Sequence, residues 1–297
     1  HATTYEYDPN GNLTGMVSPL SHRTSHRYDA LNRATSDLDP GNGTTTRQFD
    51  ASDRLTQITA PNGVVTRYVF DGLGNKTQEI SADRGVTSYI HDAAGNVVTS
   101  TDARGVVTAY QYDALDRVTS IAFSGGSGIA SSSPITYIYD SGTGNVGHMS
   151  RVIDDSGTTD FERDTHGRIT RRLWTTPSGQ ALSTSYAYDG VGHLLQMTYP
   201  TGQSVQYQWA NGRLSGLAVN GTTALSQIAY HPSGAVQSWT WGNGARHNRV
   251  HDLDGRLVQV DLDGGLRTNT YDPAGRITGY HQSNIAAQTQ TFAYDAL

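Results

Sequence analysis

The sequence predicts an all-β protein made of tandem antiparallel β-hairpins, and three features support this: a composition poor in helix formers, a repeat of about 21 residues, and a turn-forming residue at one slot of each repeat. The 297 residues include 33 Gly and 17 Tyr. The acidic residues include only three Glu (Glu6, Glu79, Glu162), and Lys76 is the single Lys. Because Glu and Lys favour helices whereas Tyr, Thr and Val favour strands, the composition indicates strands joined by tight turns.

An aromatic residue followed by Asp recurs at a fixed spacing. The first six copies begin at Tyr7, Tyr28, Phe49, Phe70, His91 and Tyr112, each 21 residues after the last. Looser copies continue to Tyr294 and bring the total to 14 units. Turn signals also lie midway between copies, so each unit reads as strand, turn, strand, turn. Successive units are therefore expected to add two neighbouring antiparallel strands, and their Tyr side chains to stack from unit to unit.

The third residue after this Asp is confined to three residue types. In the units of standard length it is Gly11, Asn32, Asp53, Gly74, Gly95, Asp116, Gly167, Gly192, Gly234, Gly255 and Gly275. Gly, Asn and Asp enter the left-handed backbone region at the lowest cost, which predicts a positive φ in a type I turn closed by a bulge. The preceding Asp is expected to accept hydrogen bonds from the turn amides.

The sequence allows either face of the strand after each turn to be the buried one. Apolar residues there lie three apart, as in Leu55 and Ile58, or Leu13 and Met16. Strict alternation would place such a pair on opposite faces, whereas a bulge would reset the register.

The predicted sheet is too wide to stay flat. Fourteen units of two strands, at about 4.8 Å per strand, span roughly 130 Å. Twist and recurring bulges would curl such a ribbon into a spiral with a hollow or broad concave wall.

Domain organisation is predicted to be a single repeat array over residues 1–297, because no composition shift marks a second domain. A Gly- and Ser-rich stretch near 124–134 interrupts the period and is predicted to be a flexible insertion. The chain begins without Met and stops in the middle of a motif, from which a fragment of a longer protein is expected.

Charge and hydropathy disfavour several partner classes. The net charge of −6 and pI near 6.0 offer no basic field for nucleic acid. No apolar run of 18 residues or charged leader is present, so neither a membrane span nor a signal peptide is predicted. The lack of Cys rules out disulfides and leaves the compartment open.

The repeated sequence motif resembles that of a known family. Tyr271-Asp272-Pro273-Ala274-Gly275-Arg276-Ile277 and Tyr7-Asp8-Pro9-Asn10-Gly11-Asn12-Leu13 are similar to the motif of RHS/YD repeats, and the copies cover essentially the whole chain. The resemblance implies a spiral cocoon, as in bacterial Rhs polymorphic toxins, the C component of Tc toxins and teneurins. No self-cleaving Asp residue is carried over, because Asp272 lies within an ordinary repeat.

The same resemblance implies the partners and the location. The expected partners are an enclosed C-terminal toxin of the same polypeptide, the remaining RHS repeats and a secretion machinery, with delivery as a type VI effector among the routes. The protein would be made in the bacterial cytoplasm and then secreted or delivered at the cell surface. Neither nucleic acid nor a membrane span is expected.

No catalytic, cofactor-binding or metal-binding residue is predicted, and the segment is expected not to be an enzyme. His91, His231 and His251 stand in repeat slots that hold Tyr, Phe or Asp elsewhere. The Asp-rich corner at Asp252 resembles a calcium loop only faintly, because no Glu follows at the twelfth position. Ser127 lacks a complete nucleophile-elbow motif.

Two tryptophans carry the alternative function. Trp239 and Trp241 alternate along one strand, so they share a face on which sugar rings could stack. The sequence favours an aromatic ladder that joins hairpins, and keeps a carbohydrate-binding or cell-surface adhesion module as the alternative.

Overall fold

The computed structural model describes residues 2–126, 133–262, 264–283 and 289–294 and divides the chain into two compact units. The first unit is His1–Thr136 with Tyr294–Leu297, and the second is Tyr137–Ala293. The sequence predicted a single repeat array over residues 1–297. A division into compact units does not test that prediction, which stays a prediction. The described residues form strands and turns without a helix, so none of them belongs to a helix able to cross a membrane.

The strands are short and follow one another closely. The first unit contains β1 (Thr4–Tyr7), β2 (Leu13–Val17), β3 (Arg23–Tyr28), β4 (Ala34–Leu38), β5 (Thr44–Phe49), β6 (Leu55–Thr59), β7 (Val65–Phe70), β8 (Lys76–Ser81), β9 (Gly85–His91), β10 (Val97–Thr101), β11 (Val106–Tyr112) and β12 (Val118–Gly125). β13 (Ile135–Tyr139) includes the boundary between Thr136 and Tyr137.

The second unit continues the same pattern. It contains β14 (Met149–Asp154), β15 (Gly157–Arg163), β16 (Ile169–Thr175), β17 (Ala181–Tyr188), β18 (Leu194–Thr198), β19 (Ser204–Ala210), β20 (Arg213–Val219), β21 (Thr222–Tyr230), β22 (Val236–Trp241), β23 (Arg246–His251), β24 (Leu257–Leu262), β25 (Gly265–Tyr271), β26 (Ile277–Gln282) and β27 (Gln290–Thr291). In the described ladders of each unit, strands pair antiparallel with their neighbours in sequence.

The left-handed slot predicted from the sequence is confirmed at all eleven positions. Asn32, Asp53 and Asp116 have φ of 61°, 62° and 59°, and the eight glycines of this slot have φ between 78° and 100°. At Asp29 the backbone N–H donates to the Arg33 carbonyl and the carbonyl accepts from Asn32, at 3.1 and 3.0 Å. Both bonds recur at every standard corner, as expected for a type I turn with a bulge.

A second bulge explains the apolar spacing of three residues. Phe49 pairs with Leu55 and Gln48 with Gln57, so Thr56 is an extra residue without a cross-strand partner. Leu55 and Ile58 therefore lie on the same face as Phe49. The Thr56 hydroxyl donates to the Gln48 carbonyl at 3.2 Å. The corresponding hydroxyls of three further units make the same bond at 3.2 to 3.3 Å: Thr35, Thr77 and Thr170.

Each unit's sheet has two chemically different faces. We call the side that carries the repeated aromatic residue the aromatic face, and the opposite side the polar face. In the first unit Arg47, Phe49, Leu55 and Ile58 share the aromatic face, and Thr46, Gln48 and Gln57 share the polar face. The polar side of β5 is exposed and its aromatic side half-buried, and β23 in the second unit repeats this alternation.

Neither unit has a conventional two-layer core. Among the described residues the only hydrophobic side chains classed as buried are Val106 and Ala218, at 8% and 7% exposure. Half-buried side chains that pack sideways along the sheet must therefore supply most of the apolar contact.

The structure describes the shortened corner of the repeat and only part of the predicted insertion. Within the predicted insertion near 124–134, Ser124 and Gly125 belong to β12, and residues 127–132 lie outside the described residues. The shortened corner at Asn211 and Gly212 has φ of 51° and 72°, which fits the Asn-Gly hairpin turn that its sequence indicates.

The positive φ at Asp116 predicts a specific stability loss. Asp116→Ala should lower the free energy of unfolding by about 1 kcal/mol, because a Cβ-bearing residue without a local polar group is strained in this region. Asp116→Gly should lose less. Urea denaturation followed by circular dichroism measures both, with Ser52→Ala, at a corner position of ordinary φ, as the control. Equal losses for Asp116→Ala and Ser52→Ala would contradict the assignment.

Candidate functional site

The corner Asp organises each turn through its carboxylate. Asp29 Oδ1 accepts from the backbone N–H groups of Leu31 and Arg33 at 2.9 and 3.0 Å. These are the bonds predicted from the sequence. The same pair of bonds, at 2.8 to 3.1 Å, is made by Asp8, Asp50, Asp71, Asp92, Asp113, Asp164, Asp189, Asp252 and Asp272.

At most corners the residue four positions after the corner Asp joins one repeat to the next, and we call it the clamp residue. Arg54 Nε donates to Asp50 Oδ2 at 2.7 Å, and the guanidinium carbon lies 5.0 Å from the centre of the Phe70 ring in the next repeat. Arg54 Nη1 also donates to the Asp71 carbonyl at 3.1 Å. Arg33 and Arg168 make the corresponding three contacts, one with the corner Asp of their own repeat and two with the next repeat.

Other clamp residues keep the connection with different chemistry. Asn12 Nδ2 donates to Asp8 and to the side chain of Asn32 in the next repeat, at 2.9 and 2.7 Å. His193 contacts Asp189 at 2.8 Å, and its ring stacks on Trp209 with centroids 4.5 Å apart.

Every non-glycine residue of the left-handed slot is held by the clamp residue of the preceding repeat. Asn32 accepts from Asn12 at 2.7 Å, Asp53 from Arg33 at 2.6 Å, and Asp116 from Asn96 at 2.8 Å. A polar side chain at this slot therefore contributes a bond between repeats that glycine cannot make.

The repeated aromatic residue reaches back across the sheet. Tyr28 Oη donates to the Leu13 carbonyl of the preceding repeat at 2.9 Å. Equivalent bonds of 2.7 to 3.0 Å are made by Tyr112, Tyr188, Trp209, Tyr230 and Tyr271. The sequence predicted direct stacking of Tyr on Tyr between repeats. At Tyr188, Trp209, Tyr230 and Tyr271 a guanidinium or imidazole lies beside the aromatic ring instead, because two strand spacings separate successive aromatic slots.

Hydrogen bonding keeps the corner carboxylates ionised. The side-chain bond from Arg33 is the largest influence that lowers the pKa of Asp29, and backbone bonds from Arg33 and Leu31 lower it further. For Asp272 burial is the largest influence and raises the pKa, but the bonds from Arg276 outweigh it and leave the pKa lowered.

No metal site emerges from the described part of the chain, where no group of three His, Asp or Glu side chains is arranged to hold an ion. The carboxylates weighed as calcium ligands have other partners: Arg256 lies 2.7 Å from Asp252 and 3.1 Å from Asp254. His231 and His251 lie in neighbouring repeats with ring centroids 5.9 Å apart.

The structure distinguishes the two tryptophans predicted as an alternative sugar platform. Their rings meet edge to face with centroids 5.6 Å apart, so they share the aromatic face. Trp239 stacks on His247 at 4.1 Å, and the Arg249 guanidinium lies 4.9 Å from its ring centre. Trp241 is 44% exposed and borders a groove of about 780 Å³ that Asn243, Arg246 and Asp261 also line.

The surroundings of His247 favour its neutral form. Burial is the first cause of its lowered pKa, and the positive charge of Arg249 lowers it further, whereas Asp261 acts in the opposite direction. A neutral imidazole stacks on the indole of Trp239 without the cost of a second buried charge beside Arg249.

The clamp residue was missed by the sequence reasoning. Its signal was present, because the position four residues after the corner Asp holds Asn12, Arg33, Arg54, Asn75, Asn96, Arg117, Arg168, His193, Arg256 and Arg276. The chain is thus a tandem β-hairpin repeat protein whose repeats are joined at their corners by side-chain clamps.

Two family models match the chain. The RHS repeat model matches residues 7–45, 28–62, 49–86 and 91–127, and the teneurin YD-shell model matches 130–297. The second match alone covers more than half of the chain, so the protein belongs to the teneurin YD-shell family, with RHS repeats in its N-terminal part. No curated protein matches its sequence.

Solved toxin structures share the fold. A structure of the Photorhabdus luminescens Tc holotoxin pore with a mutation in TccC3 matches 99% of this chain with a TM-score of 0.79 at 17% identity. TcdB2–TccC3 matches 99% with a TM-score of 0.66 at 16% identity, and TcdB2–TccC3–Cdc42 matches 98% with a TM-score of 0.64 at 16% identity. The match covers 19% to 21% of those chains, so this chain spans about a fifth of their length.

The clamp predicts measurable coupling between repeats. In a double-mutant cycle of Arg54→Ala and Phe70→Leu, the coupling in the free energy of unfolding should be about 0.5 to 1 kcal/mol, as for a cation over an aromatic ring. The control pairs Arg84→Ala with Phe70→Leu, because Arg84 is 75% exposed and pairs with Glu79. A coupling no larger than that of the control would contradict the clamp.

The lowered pKa of the corner carboxylates predicts acid sensitivity. A carboxylate whose pKa is lower in the folded state stabilises the protein above the unfolded pKa, and this stability is lost as pH falls through the folded pKa. The melting temperature should therefore fall mainly below about pH 4. Asp113→Asn should melt lower than the parent at pH 7 and approach it at low pH, where both side chains are uncharged. Differential scanning calorimetry across pH measures this, and a loss confined to pH 7 to 5 would contradict it.

Proposed function

We propose that this chain is a structural segment of an RHS-repeat shell that encloses a C-terminal toxin of the same polypeptide for delivery, without catalysis by the segment itself. The observation that carries the proposal is the fold similarity to the Tc toxin structures over 99% of the chain. Membership in the YD-shell family supports the same role.

The proposed mechanism is exclusion by a closely bonded wall. Within each unit the backbone bonds of neighbouring strands leave few unpaired groups inside the sheet, and clamp residues such as Arg54 connect the corners where the strands end. A wall of this kind isolates a guest without having to recognise its sequence.

The carboxylate geometry supports a role without catalysis. The pair of carboxylates that hydrolases place across a cleft requires free oxygens that face each other. Here each corner holds one Asp of the repeat motif, and its oxygens are bound to turn amides and to the clamp, as at Asp29.

The proposed partners follow from the length of the match. Because the chain spans about a fifth of the solved shell chains, the remaining repeats of the full polypeptide would complete the enclosure. The toxin would lie inside, and a bacterial secretion system would deliver the assembly from the cytoplasm where it is made.

The absence of Cys from the chain allows a direct test of enclosure. Thr108→Cys and Ala109→Cys place thiols on the aromatic and polar faces of β11, within the longest natural polypeptide that contains this chain. Each is treated with a small maleimide and with a maleimide coupled to a large polyethylene glycol, and labelling is located by peptide mapping.

Enclosure predicts opposite results for the two sites. One thiol should react with both reagents, and the other with the small reagent alone until the protein is unfolded. If both thiols react fully with the large reagent in the folded protein, the chain does not wall off a compartment.

Trp241 supports carbohydrate binding as a second candidate function, in a cell-surface adhesion module. Its exposed indole beside Asn243 and Asp261 offers a stacking surface next to polar groups that could bond sugar hydroxyls. Trp239 supports it less, since His247 and Arg249 already contact its ring.

The two tryptophans can be tested as a matched pair. Glycan-array binding that Trp241→Ala abolishes would support the adhesion module, and Trp239→Ala should act there only through loss of stability. If no glycan binds the folded parent chain, this second candidate fails and the shell proposal is unaffected.

A further inference from the structure

The charges on the aromatic face are paired in the first unit. Arg47 Nη1 lies 2.5 Å from Asp37 Oδ2, and His26 contacts Asp37 at 2.7 Å. Lys76 pairs with Glu79 at 2.8 Å on the same face. Arg47 and Lys76 each have a carboxylate within ion-pair distance, so these two charges are neutralised within the face.

The second unit keeps the arginine but not the carboxylate. Arg249 stands two residues before the aromatic slot at His251, as Arg47 stands two before Phe49. The strand pairing places Trp239 of β22 at the position that Asp37 of β4 has in the first unit. Each lies on the aromatic face of the strand that precedes its arginine. Arg249 therefore meets an indole, with 4.9 Å between its guanidinium carbon and the ring centre, instead of an acid.

A second arginine repeats the situation two strands away. Arg267 and Arg249 both lie opposite Val260 of β24, on its two sides, so about 10 Å separates their strands. The Arg267 guanidinium lies 4.7 Å from the Tyr280 ring centre. Within the described strands β22 to β26, the register places no Asp or Glu on the aromatic face.

Buried donors on this face lack acceptors. In the described residues, Nε of Arg249, Nε of Arg267 and Nε1 of Trp239 are shielded from solvent and have no hydrogen-bond partner. A buried donor without a partner costs about 1 to 3 kcal/mol, so a ligand that reorders these side chains and supplies acceptors would relieve that cost.

An apolar cavity lies beside these donors. It has a volume of about 220 Å³ and is lined by Leu214, Leu225, Ile228, Tyr230, Val236, Trp239, Trp241 and Arg249. One aliphatic or aromatic side chain fills such a space, and its burial there would add apolar contact to a charge-based interaction.

We propose that the aromatic face of β20 to β25 is a docking surface for an acidic polypeptide segment that inserts one large apolar side chain into the cavity. Two carboxylates would accept from Arg249 and Arg267. Residues two apart in an extended chain present their side chains on the same side about 7 Å apart, and the flexible Glu side chains can span the remaining distance to arginine strands about 10 Å apart. The two cations beside an apolar cavity match such a segment in charge and in shape.

A polypeptide fits this surface better than a nucleic acid. Nucleic-acid binding depends on many cations that neutralise a run of phosphates, whereas this patch has two arginines in a chain of net charge −6. The surface goes beyond the enclosure proposed above and would bind the same segment whichever face lines a compartment.

Synthetic peptides test the surface with the purified 297-residue chain. The probe is a fluorescein-labelled, Ser- and Gly-based 12-residue peptide with Leu-Ser-Glu-Ser-Glu at its centre, so that the Leu and both Glu side chains lie on one side of the extended chain. Its controls carry Leu-Ser-Gln-Ser-Gln or Ser-Ser-Glu-Ser-Glu. Fluorescence anisotropy should show saturable binding of the probe, and each control peptide should bind about fivefold more weakly.

Variants of the chain locate the binding. Arg249→Gln and Arg267→Gln should each weaken binding by about fivefold, and Arg151→Gln, on the polar face and paired with Asp160, should stay within about twofold of the parent. Circular dichroism checks that each variant folds. If Arg249→Gln does not fold, the test uses Arg267→Gln together with Arg249→Lys.

Three results would overturn the proposal. The first is the absence of saturable binding of the probe, and the second is equal binding of the Leu-Ser-Gln-Ser-Gln control. The third is a single-stranded oligonucleotide that binds more tightly than the probe and is released by the same two arginine variants, which would assign the patch to nucleic acid.

Discussion

The structure depends on one backbone constraint, the reversal of the chain through a residue held at positive φ at each corner. The corner Asp fixes that turn by accepting two amides, and its second oxygen is then free to hold the clamp residue. The clamp residue in turn contacts the aromatic ring and the corner carbonyl of the next repeat. One local turn thus sets the position of its neighbour, which is how a protein with almost no buried core keeps its repeats in register.

Much of this arrangement could be predicted because it is local in sequence. The slot at Asn32 and the acceptor role of Asp29 follow from residue types within five positions. The bulge at Thr56 could not be predicted, since apolar residues three apart fit two registers and only the pairing of Phe49 with Leu55 decides between them. The covering of Trp239 was equally hidden, because His247 and Arg249 reach it from the next strand and periodicity does not report cross-strand partners.

The repeat fixes the backbone but leaves the outward chemistry free to differ. At equivalent positions the first unit has Asp37 beside Arg47, and the second has Trp239 beside Arg249. Both choices fit the same hairpin geometry, because the corner and clamp bonds do not involve these side chains. A family can therefore keep one wall architecture and change what its surfaces bind by substitutions between the corners.

The pairing of strands with their neighbours in sequence also governs how the protein is made. Each hairpin can form as soon as its two strands leave the ribosome, because no partner strand has to wait for a distant part of the chain. The clamp at its corner then presents a finished template edge to the next hairpin. Synthesis and folding can advance together from the N-terminus, which limits the time that a long, strand-rich polypeptide spends with exposed edges open to aggregation.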